Sequence, residues 1–389
     1  MADDYESGTR AAAAGGITCV LNFAFQAKGE TLRAAVEKEL RQAEGRSHID
    51  FGLHVGVTDL SVPGVLAEIG PLADDGIASV KIFTVTSAYG LSDSDVLRIL
   101  EVCGGLGILV SVHAEDQALI RFLTNRFLSH DQTGVAYFPR ARPPVTEELA
   151  TWKVATYARA LDCPVYFVHL SSREALEAVR RARSEGARIY VETRPVYLFL
   201  DDSRYELPGG EGAKYVCLPP LRSIANQQAL WDGLRNGEIH TYATDHAPWL
   251  AAQKLAPGRF SSIPAGVANL QTSIGMLYSE GVRRGRISLT QFVAVTATNP
   301  AKLFGLWPQK GTLAVGADAD LVLIDPNLKK RLGSEGMESR SDYEPYEGFE
   351  CVGWPVLTMS RGEIVYEQGV VKGAPGRGRF LRRSRYQPL

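Results

Sequence analysis

The feature that most limits what this chain can fold into is an alternation of short apolar, β-branched runs with amphipathic stretches of helical period. The runs stand at Ile17–Phe23, Gly52–Thr58, Ser79–Phe83, Ile108–His113, Val165–Leu170, Arg188–Glu192 and His240–Asp245. Nearly continuous apolar segments such as ILVSV and VYFVHL suit parallel strands covered on both faces. Between the runs, Glu30–Ala43, Asp93–Cys103, Glu147–Leu161, Ser172–Arg183 and Asn226–Asn236 carry helical periodicity, with Asp93 and Ser172 placed as N-caps. Repeated strand–helix units imply a parallel sheet with helical crossovers. Seven strands could form an open doubly wound sheet, but no Gly-rich phosphate loop follows any of them. A (β/α)8 barrel needs an eighth strand.

The pattern changes after about Asn299. NPAKLFGL reads as a last helix, and GTLAVGADADLVLIDP and GWPVLTMSRGEIVYEQG read as short antiparallel strands with turn signals. The expected division is a barrel over residues 1–306, a small β-sandwich annex over 307–375, and a basic tail over 376–389 that is solvated or touches another subunit. Composition narrows the classes of partner. Lys plus Arg is 42 and Asp plus Glu is 44, a net charge of −2 that gives no attraction to nucleic acid or an anionic membrane. No apolar run reaches the roughly 18–20 residues of a membrane span, and MADDYESGTRAAAAGG is not built like a secretory leader. Five scattered cysteines without a CxxC motif fit a reducing compartment, so a cytoplasmic protein is expected.

Four polar residues stand at or near the carboxyl ends of the strand candidates: Lys81, His113, His169 and Asp245. Each alone has an ordinary explanation as a satisfied polar residue, a rim charge or a helix cap. Together they matter, because a (β/α)8 barrel gathers the carboxyl ends of all its strands on one rim. Two imidazoles and a carboxylate suit a divalent ion such as zinc. Lysine has no lone pair as an ammonium, so Lys81 can join them only if it is deprotonated or modified. The expected fold is therefore an α/β, TIM-type (β/α)8 barrel with a C-terminal β annex.

At this point the chain resembles a known family. ESGTRAAAAGGIT, VHAED, VHLSSREAL, ETRPVYL, LPPLR, ATDHAP, SIPAG, TNPAKLFGL and KGTLAVGADADLVLIDP follow, nearly end to end, the pattern of the dihydropyrimidinase/hydantoinase branch of the amidohydrolases, relatives of allantoinase and dihydroorotase. The resemblance implies that Lys81 is carboxylated by carbon dioxide to a carbamate that bridges two zinc ions. It implies that His113 and His169 bind one ion, and that Asp245 binds the other and acts as the catalytic proton shuttle. The implied reaction is hydrolytic opening of a dihydropyrimidine or hydantoin ring to an N-carbamoyl amino acid. A homotetramer acting on a small cyclic amide, with neither nucleic acid nor membrane as partner, is implied too. His54 reads as an interior residue and His246 as a neighbour of the site at most.

Two departures qualify the expectation. No His-x-His occurs in this sequence, although the family carries one at the end of strand one. By spacing it would fall before Met1, so either the start is misassigned or truncated, or the protein is a natural remnant. The chain as written is then expected to lack strand one, to hold at most one ion rather than two, and to turn over poorly. The substrate positions also differ: Thr86, with Tyr89 as its candidate replacement, Leu218 and Ala265 stand where the family has more polar residues. Allantoinase or another cyclic ureide hydrolase is the alternative within the enzyme class. A non-catalytic oligomer resembling the collapsin response mediator proteins is the alternative outside it.

Overall fold

The computed structural model of the chain describes residues 1–85 and 89–389. All seven expected runs are strands: β1 (Cys19–Phe25), β2 (Asp50–Gly56), β3 (Ser79–Phe83), β4 (Leu109–His113), β5 (Val165–Phe167), β6 (Ile189–Thr193) and β7 (Thr241–Tyr242). They form one sheet in sequence order, each parallel to the next. Helices including Leu32–Ala43, Asp93–Leu106, Pro144–Ala160, Arg173–Ser184 and Ile224–Arg235 make the crossovers. The seven parallel strands in sequence order, with their helical crossovers, make a barrel sheet of the (β/α)8 type. Ser172 caps its helix as expected. Asp93 does not: Ser92 is the cap, accepting from the Asp95 amide, and Asp93 lies in the first turn, where a carboxylate favours the positive end of the helix dipole.

The period of two sorts side chains between the two faces. Val80, Ile82, Val110, Val112 and Val191 join the helix-side core with Ile99, Leu100, Val154 and Val179. The alternate positions point into the barrel, where Leu109 and Tyr166 pack with Phe304. Strands β5 and β7 are shorter than their apolar runs, and His169 and Asp245, which follow them, take positive φ, 42° and 45°, in the turns at the rim.

The annex is a four-stranded antiparallel sheet of β8 (Leu321–Arg331), β9 (Glu350–Ser360), β10 (Glu363–Glu367) and β11 (Val370–Val371). Buried Asp50, at the start of β2, ties it to the barrel. Its carboxylate receives Lys310 Nζ at 2.8 Å, Arg361 Nε at 3.0 Å and the Arg379 amide at 3.0 Å.

The tail is not the solvated arm that its charge run predicts. The Phe51 amide donates to Arg379 O and the Leu381 amide to Phe51 O, so the tail runs beside β2 at the amino end of the barrel. Arg383 is buried, with its guanidinium on Leu53 O, Ser79 Oγ and Phe304 O. Arginine there satisfies carbonyls and a hydroxyl that the buried amino end of the sheet would otherwise strand. Gly305, at φ 69°, is needed beneath it, since a Cβ there would lie 1.7 Å from Ser384 O. Among the described residues, no helix is long and apolar enough to cross a membrane. Arg383→Met should lower unfolding stability by about 2–4 kcal/mol, since buried acceptors lose a charged donor. Urea titration of both proteins measures this, and an unchanged midpoint would show that the tail contributes nothing.

Candidate active site

Lys81 is the third residue of β3 and faces inward, 3% exposed. Its Nζ lies 4.7 Å from the Phe83 ring centre and 5.8 Å from that of Phe23, and it has no hydrogen-bond partner among the described residues. Burial pushes its pKa down to about 7, although Asp245 and Glu192 pull the other way. A buried amine without acceptors is poorly suited to be an ammonium and well suited to react or to be modified.

His113 closes β4 and His169 follows β5. Their rings meet edge to face, with His113 Nδ1 3.0 Å from His169 Nε2. Burial keeps both imidazoles below their ordinary pKa, and the positive charge of Lys81 adds to the effect. Neutral imidazole is the form that ligates metal. Two nitrogens on one tetrahedral zinc stand about 3.3 Å apart, so these two converge much as ligands do. Among the described residues no group of three His, Cys, Asp or Glu side chains is arranged around a metal position. The third donor near the histidines would be Lys81, which fits only as a carbamate.

Buried carboxylates hold this pair. Glu115 Oε2 lies 2.8 Å from His113 Nε2 and receives Arg142 Nη1 at 2.6 Å. Burial opposes ionisation of Glu115, but Arg142 and His113 outweigh it and bring its pKa down to about 2. Glu192 accepts from the His169 amide at 2.9 Å and from Tyr166 Oη at 2.6 Å. Glu147 accepts from the amide and hydroxyl of Ser171 and from the hydroxyl of Ser172, which fixes the turn after His169. A carboxylate on the far nitrogen of a histidine sets its tautomer and raises its ligand strength.

Asp245 reaches the same rim, but its Oδ2 pairs with Arg194 Nη1. Arg194 Nη2 also donates to Tyr197 Oη at 2.7 Å and to Leu218 O at 3.1 Å, so Leu218 is joined to Asp245 through one guanidinium. Ala265 O accepts from Trp249 Nε1 at 3.0 Å. Tyr89 stacks on Phe25 and lies against Phe83 beside Lys81. Thr86 lies outside the described residues. His246 is committed to Asp3 and to the Asn269 amide, and His54 to Ser79 within the barrel, so neither joins the cluster. Glu115 and Arg194 are the neighbours that sequence reasoning missed. Glu115 stood two residues after a candidate ligand in VHAED, while nothing in ETRPVYL says that its arginine turns inward.

A parallel barrel sheet that gathers Lys, His, His and Asp at its carboxyl rim has the architecture of a barrel enzyme. Residues 1–365 match the amidohydrolase family, and the chain belongs to that family, which implies dependence on a divalent metal in general. It is 39% identical over 391 residues to a D-hydantoinase of Geobacillus stearothermophilus, covering 100% of this chain and 83% of the relative. A crystal structure of dihydropyrimidinase from Brevibacillus agri matches with a TM-score of 0.96 at 38% identity, covering 99% of this chain and 84% of the other. A D-hydantoinase structure from Bacillus sp. AR9 matches with a TM-score of 0.97 at 38% identity, covering 100% and 85%.

Glu147→Ala removes the acceptor of three buried hydrogen bonds and leaves Arg222 without its nearby carboxylate. Stability should fall by about 3–5 kcal/mol, as when one partner of a buried charged network is lost. Guanidinium titration checks it, and a loss below about 1 kcal/mol would show that the turn after His169 holds without this carboxylate.

Proposed function

We propose that this chain hydrolyses the ring C–N bond of a cyclic amide, a hydantoin or dihydropyrimidine, to give an N-carbamoyl amino acid. The observation that carries the reading is the buried amine of Lys81, without a hydrogen-bond partner among the described residues, beside two neutral imidazoles whose nitrogens converge. A carbamate formed there from carbon dioxide, with His113 and His169, makes a three-donor set for zinc. The names of the aligned relatives support the substrate class. A non-catalytic protein would have no use for an amine buried at such cost.

A zinc ion bound by these residues would polarise the ring carbonyl and make water a stronger nucleophile near neutral pH. The chain's own groups do the rest. Asp245 takes the proton released by the attacking water and passes it to the leaving ring nitrogen. Glu115 and Glu192 hold His113 and His169 in place. Tyr89, Phe25 and Phe83 offer an aromatic wall to the ring substituent. Backbone at Leu218 and Ala265 is the expected contact for the amide edge. Five scattered free cysteines support a reducing, cytoplasmic setting, and the sequence's resemblance to the hydantoinase branch supports a homotetramer, for which light scattering should give about four times the chain mass; a stable monomer would count against it.

The functional test is ring opening of hydantoin and dihydrouracil, read beside metal content. Chelation should abolish activity and zinc should restore it. Lys81→Ala should lose both the ion and activity on the order of 10³-fold or more. Asp245→Ala should keep the ion and lose about 10²–10⁴-fold in kcat, the range for a lost general base. Activity that survives chelation, or full metal content in Lys81→Ala, would overturn the reading.

A further inference from the structure

The sequence resemblance places Asp245 in the coordination sphere of a metal ion, yet here its carboxylate already has a cation. The side chain of Arg194 is 0% exposed and pairs through Nη1 with Asp245 Oδ2. Three further contacts fix it: Nη2 donates to Tyr197 Oη at 2.7 Å and to Leu218 O at 3.1 Å, and the guanidinium carbon lies 4.6 Å from the Tyr197 ring centre. Tyr197 is in turn anchored by donating to Pro219 O at 2.6 Å. A guanidinium gripped in this way cannot swing aside without leaving a buried charge uncompensated. A divalent ion brought to Asp245 would meet both an occupied carboxylate oxygen and a fixed like charge. Asp245 Oδ1, by contrast, has no hydrogen-bond partner among the described residues, on a side chain 36% exposed at the rim.

We infer that Arg194 is the permanent counter-cation of Asp245 and stands in place of a metal ion at that carboxylate. The divalent ion is then held by Lys81, His113 and His169 without Asp245. Arg194 is a positioning residue: it fixes one oxygen of Asp245 and leaves the other directed to proton transfer. The metal clause rests on the functional reading above; the Arg194–Asp245 pair does not.

Two measurements on the full chain separate the two. The first is zinc content by elemental analysis after loading and dialysis. Wild type should retain one zinc per chain. Asp245→Asn and Arg194→Lys should retain the same, while His113→Ala should lose it. Two tightly held ions in wild type, or loss of zinc in Asp245→Asn, would overturn the inference while leaving ring hydrolysis intact. A wild type that binds no zinc would defeat the functional reading and the metal clause with it. The second is a metal-free double-mutant cycle in urea with Arg194→Met and Asp245→Asn. The double variant should be more stable than the two single losses predict by about tenfold or more in folding constant. Additive losses would show that the pair is not formed and would overturn the inference whatever the zinc result.

Discussion

The site depends on one unfavourable act: burying the Lys81 amine in the barrel with no acceptor among the described residues to hold its proton. Water would favour the ammonium, and the interior reverses that preference by withdrawing solvation faster than Asp245 and Glu192 can compensate. An amine that gives up its proton readily, beside neutral imidazoles, forms an electron-rich pocket. The same desolvation that disfavours charge on Lys81 keeps His113 and His169 unprotonated, so one physical cause prepares all three donors. Chemistry is stored here as the absence of stabilising partners, which the rest of the fold must tolerate.

The fold tolerates it by surrounding the unpaired groups with over-determined ones. Glu115, Glu147 and Glu192 are buried, and each grips a neighbour of the rim residues: Glu115 the far nitrogen of His113, Glu192 the amide of His169, Glu147 the two serines that follow. Asp50 does the same at the opposite end, where barrel, annex and tail meet on one carboxylate. Buried carboxylates of this kind add little net stability, since desolvation offsets their Coulomb attraction, but they specify geometry because every misplaced alternative leaves a charge unpaired.

How far the sequence reveals this follows from what each signal depends on. Strands β2 to β7 are legible because both faces are buried, and continuous apolar runs are a local property; β1, half-exposed at the sheet edge, is legible from its apolar, β-branched composition. The rim residues Lys81, His113, His169 and Asp245 are legible because strand order and the barrel's single active rim convert sequence position into place. The tail misleads because a charge run usually means solvent. Arg383 shows the exception, an arginine whose donors match the carbonyls and hydroxyl at the buried amino end of the sheet. Arg194 is illegible for a related reason: it is one charge in a loop segment, and only three-dimensional closure tells that Tyr197, Leu218 and Asp245 surround it. Asp93 and Ser92 differ by one residue, and both are good caps, so local chemistry alone cannot choose between them.

The backbone carries the last part of the argument. His169 and Asp245 both sit at positive φ, a conformation costing non-glycine residues of order 1 kcal/mol or more and found where surrounding contacts dictate it. Each lies two or three residues past the end of its strand, in the turn at the rim. If the ladder had continued, the two side chains would alternate into the barrel or the helix layer, beneath the rim rather than on it. The left-handed turn lifts them to the level where His113 Nδ1 and the Arg194 guanidinium can be met. Glu192, bonded to the His169 amide, holds one turn, and the buried Arg194 holds the other through the Asp245 carboxylate. Strain in two backbone positions and charge in two buried side chains are thus parts of one device: each turn persists because a charged group fixes it, and each charged group is buried because the turn brings its partner there.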